Sequence, residues 1–317
     1  MAEWNLVADV GGTKISAAVV GADGRIAHRK TTPTRASDGI AAVTERLAGV
    51  MHELAQVARN LQPRACGVAV PGLIDADSGE IRFAANLPGA RNYPLRQRLE
   101  ERLSLPVFID NDLRLHALGE SYYGAARGFQ NFLFVAVGTG VGGALFLDGR
   151  PYQGRRHSAG EIGHIPIEAG PTAGACACGR RGCLEAYASG PAIAAYFQRR
   201  AVETGLELAA PEPSLKEIAQ WLERPGPIGE LAREAVAFGG CALGRGLGIA
   251  ANLLDPELIV LGGGVAHIGE IWLGAMRRAM DEITLNRFED SAIQLSQLGE
   301  DAALLGAAAL AQQMLRG

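Results

Sequence analysis

Three cysteines and a histidine crowd into one short stretch: His164, then Cys176, Cys178 and Cys183. Three sulfurs and one imidazole complete a closed tetrahedral zinc site, with no position left for water or substrate. That set predicts a structural ion, not a Lewis acid. Gly174, Gly179 and Gly182 let a short loop fold around it. Cys66 lies in an apolar run and Cys241 in a helical stretch, so both read as core. Five cysteines fit no disulfide framework in a chain this long, which points to a reducing cytoplasm.

Two glycine turns form a second chemical feature. Asp9-Val10-Gly11-Gly12-Thr13-Lys14 interrupts an apolar run, and Gly138-Thr139-Gly140-Val141-Gly142-Gly143 interrupts another. The second contains the G-x-G-x-x-G pattern of dinucleotide folds, but that pattern needs a helix directly after the glycines. Here a strand follows, so each turn reads as a hairpin whose backbone amides line an anion site. No G-x-x-x-x-G-K-[ST] phosphate loop occurs. Asp9, at a strand end, suits a Mg²⁺ held by carboxylate, water and phosphate oxygens. Ile109-Asp110-Asn111-Asp112 ends another strand and opens a helix over Leu113 to Tyr122, so a carboxylate there projects into the crevice at the strand ends. Asp110 lies before the turn and reads as structural, and His116 sits one helical turn after Asp112, within reach of it.

These residues need a scaffold, and the pattern supplies one. Strands are predicted over 4–10, 15–20, 25–31, 66–70 and 106–110, with helices near 37–58 and 94–103. The order gives an α/β half with a mixed sheet. Strand–glycine–strand recurs at 132–147, which indicates an internal duplication and a second related half. Helices follow at 190–203, 214–223 and 229–253, then a strand at 258–261 running into Gly262-Gly263-Gly264, and a last helix over 302–315. The division expected is residues 1–117 plus 300–317 as a smaller α/β domain, and 118–299 as a larger one.

Composition narrows the function. Lys and Arg total 30 against 34 Asp and Glu, a net charge of −4, which disfavours nucleic acid or an anionic membrane as partner. The opening MAEWNLVADVGG has no basic region before an apolar one and is not a secretory signal. Glycine is in excess, 42 of 317 residues, and is expected in turns and wherever backbone approaches a ligand. Only three lysines occur, Lys14, Lys30 and Lys216, so a lysine within a motif stands out.

The motifs resemble the actin-like ATPase superfamily, and within it the ROK family of bacterial sugar kinases and sugar-responsive repressors. The matching segments are 9–14, Pro71-Gly72, Asn111-Asp112, 138–143, Gly160-Glu161-Ile162-Gly163-His164, the block Cys176-x-Cys178-Gly179-x-x-Gly182-Cys183-Leu184-Glu185, and 262–264. They occur in family order and cover essentially the whole chain. The resemblance implies an α/β fold of the actin-like ATPase (ribonuclease H-like) type, two α/β domains with a cleft between them. It implies ATP-dependent phosphorylation of the terminal (6-) hydroxyl of a hexose. Asp112 is then the catalytic base, and Asn111, Asp112, Glu161, His164 and Glu185 contact the sugar. Asp9, Gly11, Gly12, Thr13, Lys14, Gly138, Thr139, Gly140, Gly262, Gly263 and Gly264 serve ATP and Mg²⁺, while His164, Cys176, Cys178 and Cys183 hold Zn²⁺.

Glu161 in its motif resembles glucose and N-acetylglucosamine kinases more than those N-acetylmannosamine kinases that carry His there. Glucose is therefore placed first and N-acetylglucosamine second, with N-acetylmannosamine, mannose and fructose open. A sugar-responsive regulator is the reading from another class; the phosphate motif begins at residue 9, which leaves no room for a preceding helix-turn-helix. The family also implies a homo-oligomer, expected as a dimer. One departure stands out: small residues usually follow the family's Asp, whereas here Leu113-Arg114-Leu115-His116 follow Asp112.

Overall fold

The computed structural model describes residues 3–208, 212–286, 288–289 and 292–316. The chain folds as two compact units: one runs to Phe132 and adds Ala144–Ala159 and the chain from Ser296 onward, the other comprises Leu133–Gly143 and Gly160–Leu295.

In the first unit, β1 (Trp4–Val10), β2 (Lys14–Gly21), β3 (Ile26–Pro33), β4 (Cys66–Val70) and β8 (Val107–Asn111) form one sheet in the order β3-β2-β1-β4-β8. The hairpin strands pair antiparallel, whereas β1, β4 and β8 run parallel. Strand β4 is buried along its whole length, as its unbroken apolar run requires. Helix α1 (Ile40–Val57) covers the sheet with Ile40, Val43, Leu47, Met51 and Leu54, residues spaced at the helical period. A small sheet of β5 (Leu73–Asp75), β6 (Glu80–Phe83) and β7 (Arg91–Tyr93) precedes α2 (Leu95–Leu103). These three-residue and four-residue strands are too short to carry a readable alternation, and sequence reading missed them.

The second sheet contains β9 (Phe132–Val137), β10 (Val141–Leu147), β11 (Arg150–Tyr152), β12 (Leu258–Gly262) and β13 (Ile293–Leu295) in the order β11-β10-β9-β12-β13. Each sheet thus reads third, second, first, fourth and fifth strand, so the duplication seen in the glycine turns extends to whole-sheet topology.

Helix α3 (Asp112–Tyr123) packs along α9 (Ala302–Arg316). The approach is close: a Cβ on Gly119 would stand 2.3 Å from the Ala302 carbonyl oxygen, and one on Gly306 only 1.8 Å from that of Leu115. This packing corrects the expected boundary. All of α3 stays with the first unit, which takes residues 118–132, 144–159 and 296–299 from the expected larger domain. Buried Glu120 reinforces it, accepting from the backbone N–H of Ala125 at 2.7 Å and of Leu298 at 3.1 Å, and from the Ser296 hydroxyl.

The second unit adds α4 (Glu185–Ala188), α5 (Gly190–Glu203), α6 (Leu215–Gln220), α7 (Pro227–Leu254) and α8 (Glu270–Asp281). Among the described residues, α7 is the one helix long and apolar enough to cross a membrane, yet it packs on α8 and α5. Its Gly240 and Gly244 lie against backbone oxygens of Trp272 and Met276, where a Cβ would stand at 2.4 and 2.1 Å. Part of the glycine excess therefore serves helix crossings, which corrects the expectation that turns and ligand approach account for it.

Candidate active site

The acidic residues of the first unit sit at the carboxyl ends of parallel strands. Asp9 pairs in register with Ala69 on β4, and Ala69 with Asp110 on β8. Burial is the main cause that pushes the Asp9 carboxyl from 3.8 up to about 7; the charge of Asp112 adds to it and Lys14 opposes it. The two carboxylates are thus close enough to act on one another. Lys14, expected at phosphate, forms an exposed ion pair with Glu300 at 2.9 Å.

Asn111 is the N-cap of α3. Its Oδ1 accepts from Leu113 N at 3.0 Å and Arg114 N at 3.1 Å, while Nδ2 donates to the Gly72 carbonyl at 3.0 Å. Asp112 follows as the first helical residue, where the positive end of the helix favours a carboxylate. Asp110 makes the expected structural contacts in full: it is buried and ion-paired with Arg114, which is itself only 2% exposed. Burial drives the His116 imidazole down to about 4, against the pull of Glu120, so it is neutral near pH 7.

In the second unit, Gly138, Thr139 and Gly264 line a cavity of about 700 Å³, the size of a small-molecule site. A Cβ on Gly138 or Gly264 would meet nothing within 4 Å, and neither has positive φ. Glycine there answers no packing need of the protein; it leaves the backbone bare for close approach by a ligand. Gly12 in the first hairpin is equally open. The remaining predicted glycines have internal reasons. A Cβ on Gly11 would press on the Lys14 carbonyl at 3.0 Å, on Gly140 against the Glu185 carboxylate at 2.5 Å, and on Gly263 against Val137 at 2.3 Å. Gly262 is buried at the end of β12. Thr13 is exposed at the tip of its turn.

Sequence reading missed Ser214, Lys216 and His267 on the same cavity. A signal existed for two of them. Lysine is rare here, and Ser214-x-x-Glu217 is the capping box of α6, with both reciprocal bonds formed.

The metal-ligand residues converge. His164, Cys176, Cys178 and Cys183 each offer one ligand atom, and all four atoms lie within 4.8 Å of one another. Cys178 Sγ and Cys183 Sγ are 3.7 Å apart, as are Cys176 Sγ and His164 Nδ1. Zinc–sulfur bonds of ~2.3 Å place the corners of a tetrahedron about 3.8 Å apart, so the cluster has the dimensions of that ion's site. Because Nδ1 faces the sulfurs, Nε2 is the nitrogen turned to other work. Glu161 stands exposed just before the 3-10 turn Ile162–His164. Glu185 opens α4 and touches both chemical features of this unit. One carboxylate oxygen accepts from Val141 N at 3.0 Å, beside the glycine turn, and the other lies 3.6 Å from Cys176 Sγ.

The chain matches the ROK family over residues 6–314. It belongs to that family. A glucokinase from Halalkalibacterium halodurans is 34% identical over 317 residues, covering 98% of this chain and 95% of the relative. The crystal structure of a ROK hexokinase from Thermus thermophilus superposes with a TM-score of 0.82 at 34% identity, covering 100% of this chain and 99% of the other. A ROK family glucokinase from Streptomyces griseus, crystallised with glucose and AMPPNP, gives 0.80 at 30% identity over 98% and 99%. The fold is accordingly that of the actin-like ATPases, whose two halves account for the repeated sheet order.

Proposed function

We propose that this protein is an ATP-dependent sugar kinase that phosphorylates the 6-hydroxyl of glucose, with N-acetylglucosamine as the next substrate. The observation that carries the reading is the pair Asp9 and Asp112 at the ends of β1 and β8, the two strands that flank β4, one carboxylate half-buried and the other at a helix N-terminus. Phosphoryl transfer asks little covalent chemistry of a protein; it asks for a base on the acceptor hydroxyl and for compensation of phosphate charge. Asp112 takes the hydroxyl proton. Asp9 holds the Mg²⁺ that neutralises the phosphates. The cavity at Gly138, Thr139 and Gly264 takes the nucleotide, with Lys216 and His267 available to it. Gly12 and Thr13 offer backbone N–H groups to phosphate, and Lys14 serves it by leaving Glu300.

The Cys₃His cluster holds a structural Zn²⁺, which fixes the 161–185 loop. Nδ1 of His164 is then the zinc ligand, and Nε2, which carries the ring proton, donates to a sugar hydroxyl oxygen. Asn111, Glu161 and Glu185 supply further partners, as buried polyol hydroxyls require. Cysteines free of disulfides and a need for ATP support a cytoplasmic location.

The test is coupled ADP release across glucose, N-acetylglucosamine, N-acetylmannosamine, mannose and fructose, with wild type and Asp112→Asn. Glucose is expected to give the highest kcat/KM. Asp112→Asn is expected to lower kcat by about 10³-fold, while tryptophan fluorescence still reports sugar binding. Residual turnover within tenfold of wild type rejects Asp112 as the base.

A further inference from the structure

Arg114 lies in the first turn of α3, two residues after Asp112, and it is among the most deeply buried charges of the described residues. Its side chain reaches three separate segments. Nε donates to Asp110 Oδ1 at 2.6 Å, Nη2 to the Ile74 carbonyl at 2.8 Å on β5, and Nη1 to the His157 carbonyl at 3.3 Å. Asp110 Oδ1 also accepts from Asn111 N at 2.7 Å. The planar guanidinium, with five donors in fixed directions, is the one side chain that can bridge three acceptors in this way.

The position of this fork matters more than its strength. A buried ion pair adds little stability over an apolar pair of similar volume, because desolvation offsets the attraction. What it supplies is geometry. Asp112 lies between the two paired residues in sequence, so its backbone is held from both sides. Asn111 adds a second staple, to Gly72 in the bend just before β5, two residues before the Ile74 contact. His157 is held at φ 59°, a left-handed conformation unusual for a residue with a side chain, and its carbonyl faces Arg114. Its ring contacts Gln153 Oε1 at 3.2 Å, which fastens the 153–157 turn to itself.

We infer that Arg114 is a positioning residue for phosphoryl transfer: paired with Asp110, it locks the β8–α3 junction against Ile74 and His157 and thereby sets where the Asp112 carboxylate stands. The inference rests on Asp112 as the base. Displacing a catalytic group by about 1 Å costs on the order of 100-fold in rate, so a lock at this point acts on kcat.

Three variants test it: Arg114→Met, Arg114→Lys and the double variant Asp110→Asn/Arg114→Met. Arg114→Met leaves Asp110 buried without its partner and is expected to melt far below wild type. The double variant removes both charges and is expected to recover most of that loss. Its kcat nevertheless stays ~10- to 100-fold down, while KM for ATP is unchanged. A double variant with wild-type melting and kcat within twofold of wild type overturns the inference, because Arg114 is then only structural. If the methionine variants do not fold, Arg114→Lys decides. It keeps the charge but has no planar fork, so a kcat at least fivefold down at near-native melting temperature supports the lock, and kcat within twofold overturns it. Asp112→Asn is measured beside them. An active Asp112→Asn rejects the base itself, whereas an inactive one with fully active Arg114 variants rejects only the lock.

Discussion

Replacing Asp9 by Asn should stabilise the protein without ligand and cost it its response to Mg–ATP. Burial and the neighbouring Asp112 raise the Asp9 pKa from 3.8 to about 7. At about 1.36 kcal/mol for each tenfold change in proton affinity, that rise sets a ceiling near 4 kcal/mol; partial access of water to the carboxylate brings this to about 2. The sign follows from the raised value. Between pH 3.8 and 7 the folded state keeps a proton that the unfolded chain has lost, so stability falls as pH rises through that window and is level above it. Asn carries no such charge. At pH 8, Asp9→Asn should gain about 2 kcal/mol, or 4–8 °C in melting temperature, while at about pH 4.5 the gain shrinks to about 1 kcal/mol. Saturating Mg–ATP at ~100 times its Kd adds about 2.7 kcal/mol to wild type, and the variant should show little of this. Calorimetric melts at both pH values, with and without Mg–ATP, read all four quantities. A variant less stable than wild type at pH 8, or one fully stabilised by Mg–ATP, refutes the reasoning.

Two further outcomes test the scaffold. Cys178→Ser should lower bound zinc well below one ion per chain by elemental analysis and raise the sugar KM by about tenfold, because Glu161, His164 and Glu185 share the anchored loop; full zinc retention would remove that account. Gly244→Ala sets helix propensity against packing. Alanine gains about 1 kcal/mol in a helix interior, but its Cβ would stand 2.1 Å from the Met276 carbonyl and force α7 from α8. Overpacking of about 1–3 kcal/mol should win and lower the melting temperature by several degrees; a rise would show that the helices separate freely.

Features that depend on local spacing were legible in the order of residues. Glycine between apolar runs marked both hairpins, and ligand-type residues within twenty positions marked the Cys₃His cluster. The carboxylate at 9 stood out at the end of an apolar strand, and the one at 112, just past another, was singled out by the family resemblance. Packing settled which glycines face a ligand and which face another helix: Gly138 and Gly240 look alike in sequence, yet one opens a cavity and the other meets the Trp272 carbonyl. It also settled the partners of Arg114, since Ile74 and His157 lie 40 and 43 residues away in the chain. Local pattern encodes backbone conformation and burial; contacts between distant segments depend on how elements pack, and no short-range period records that.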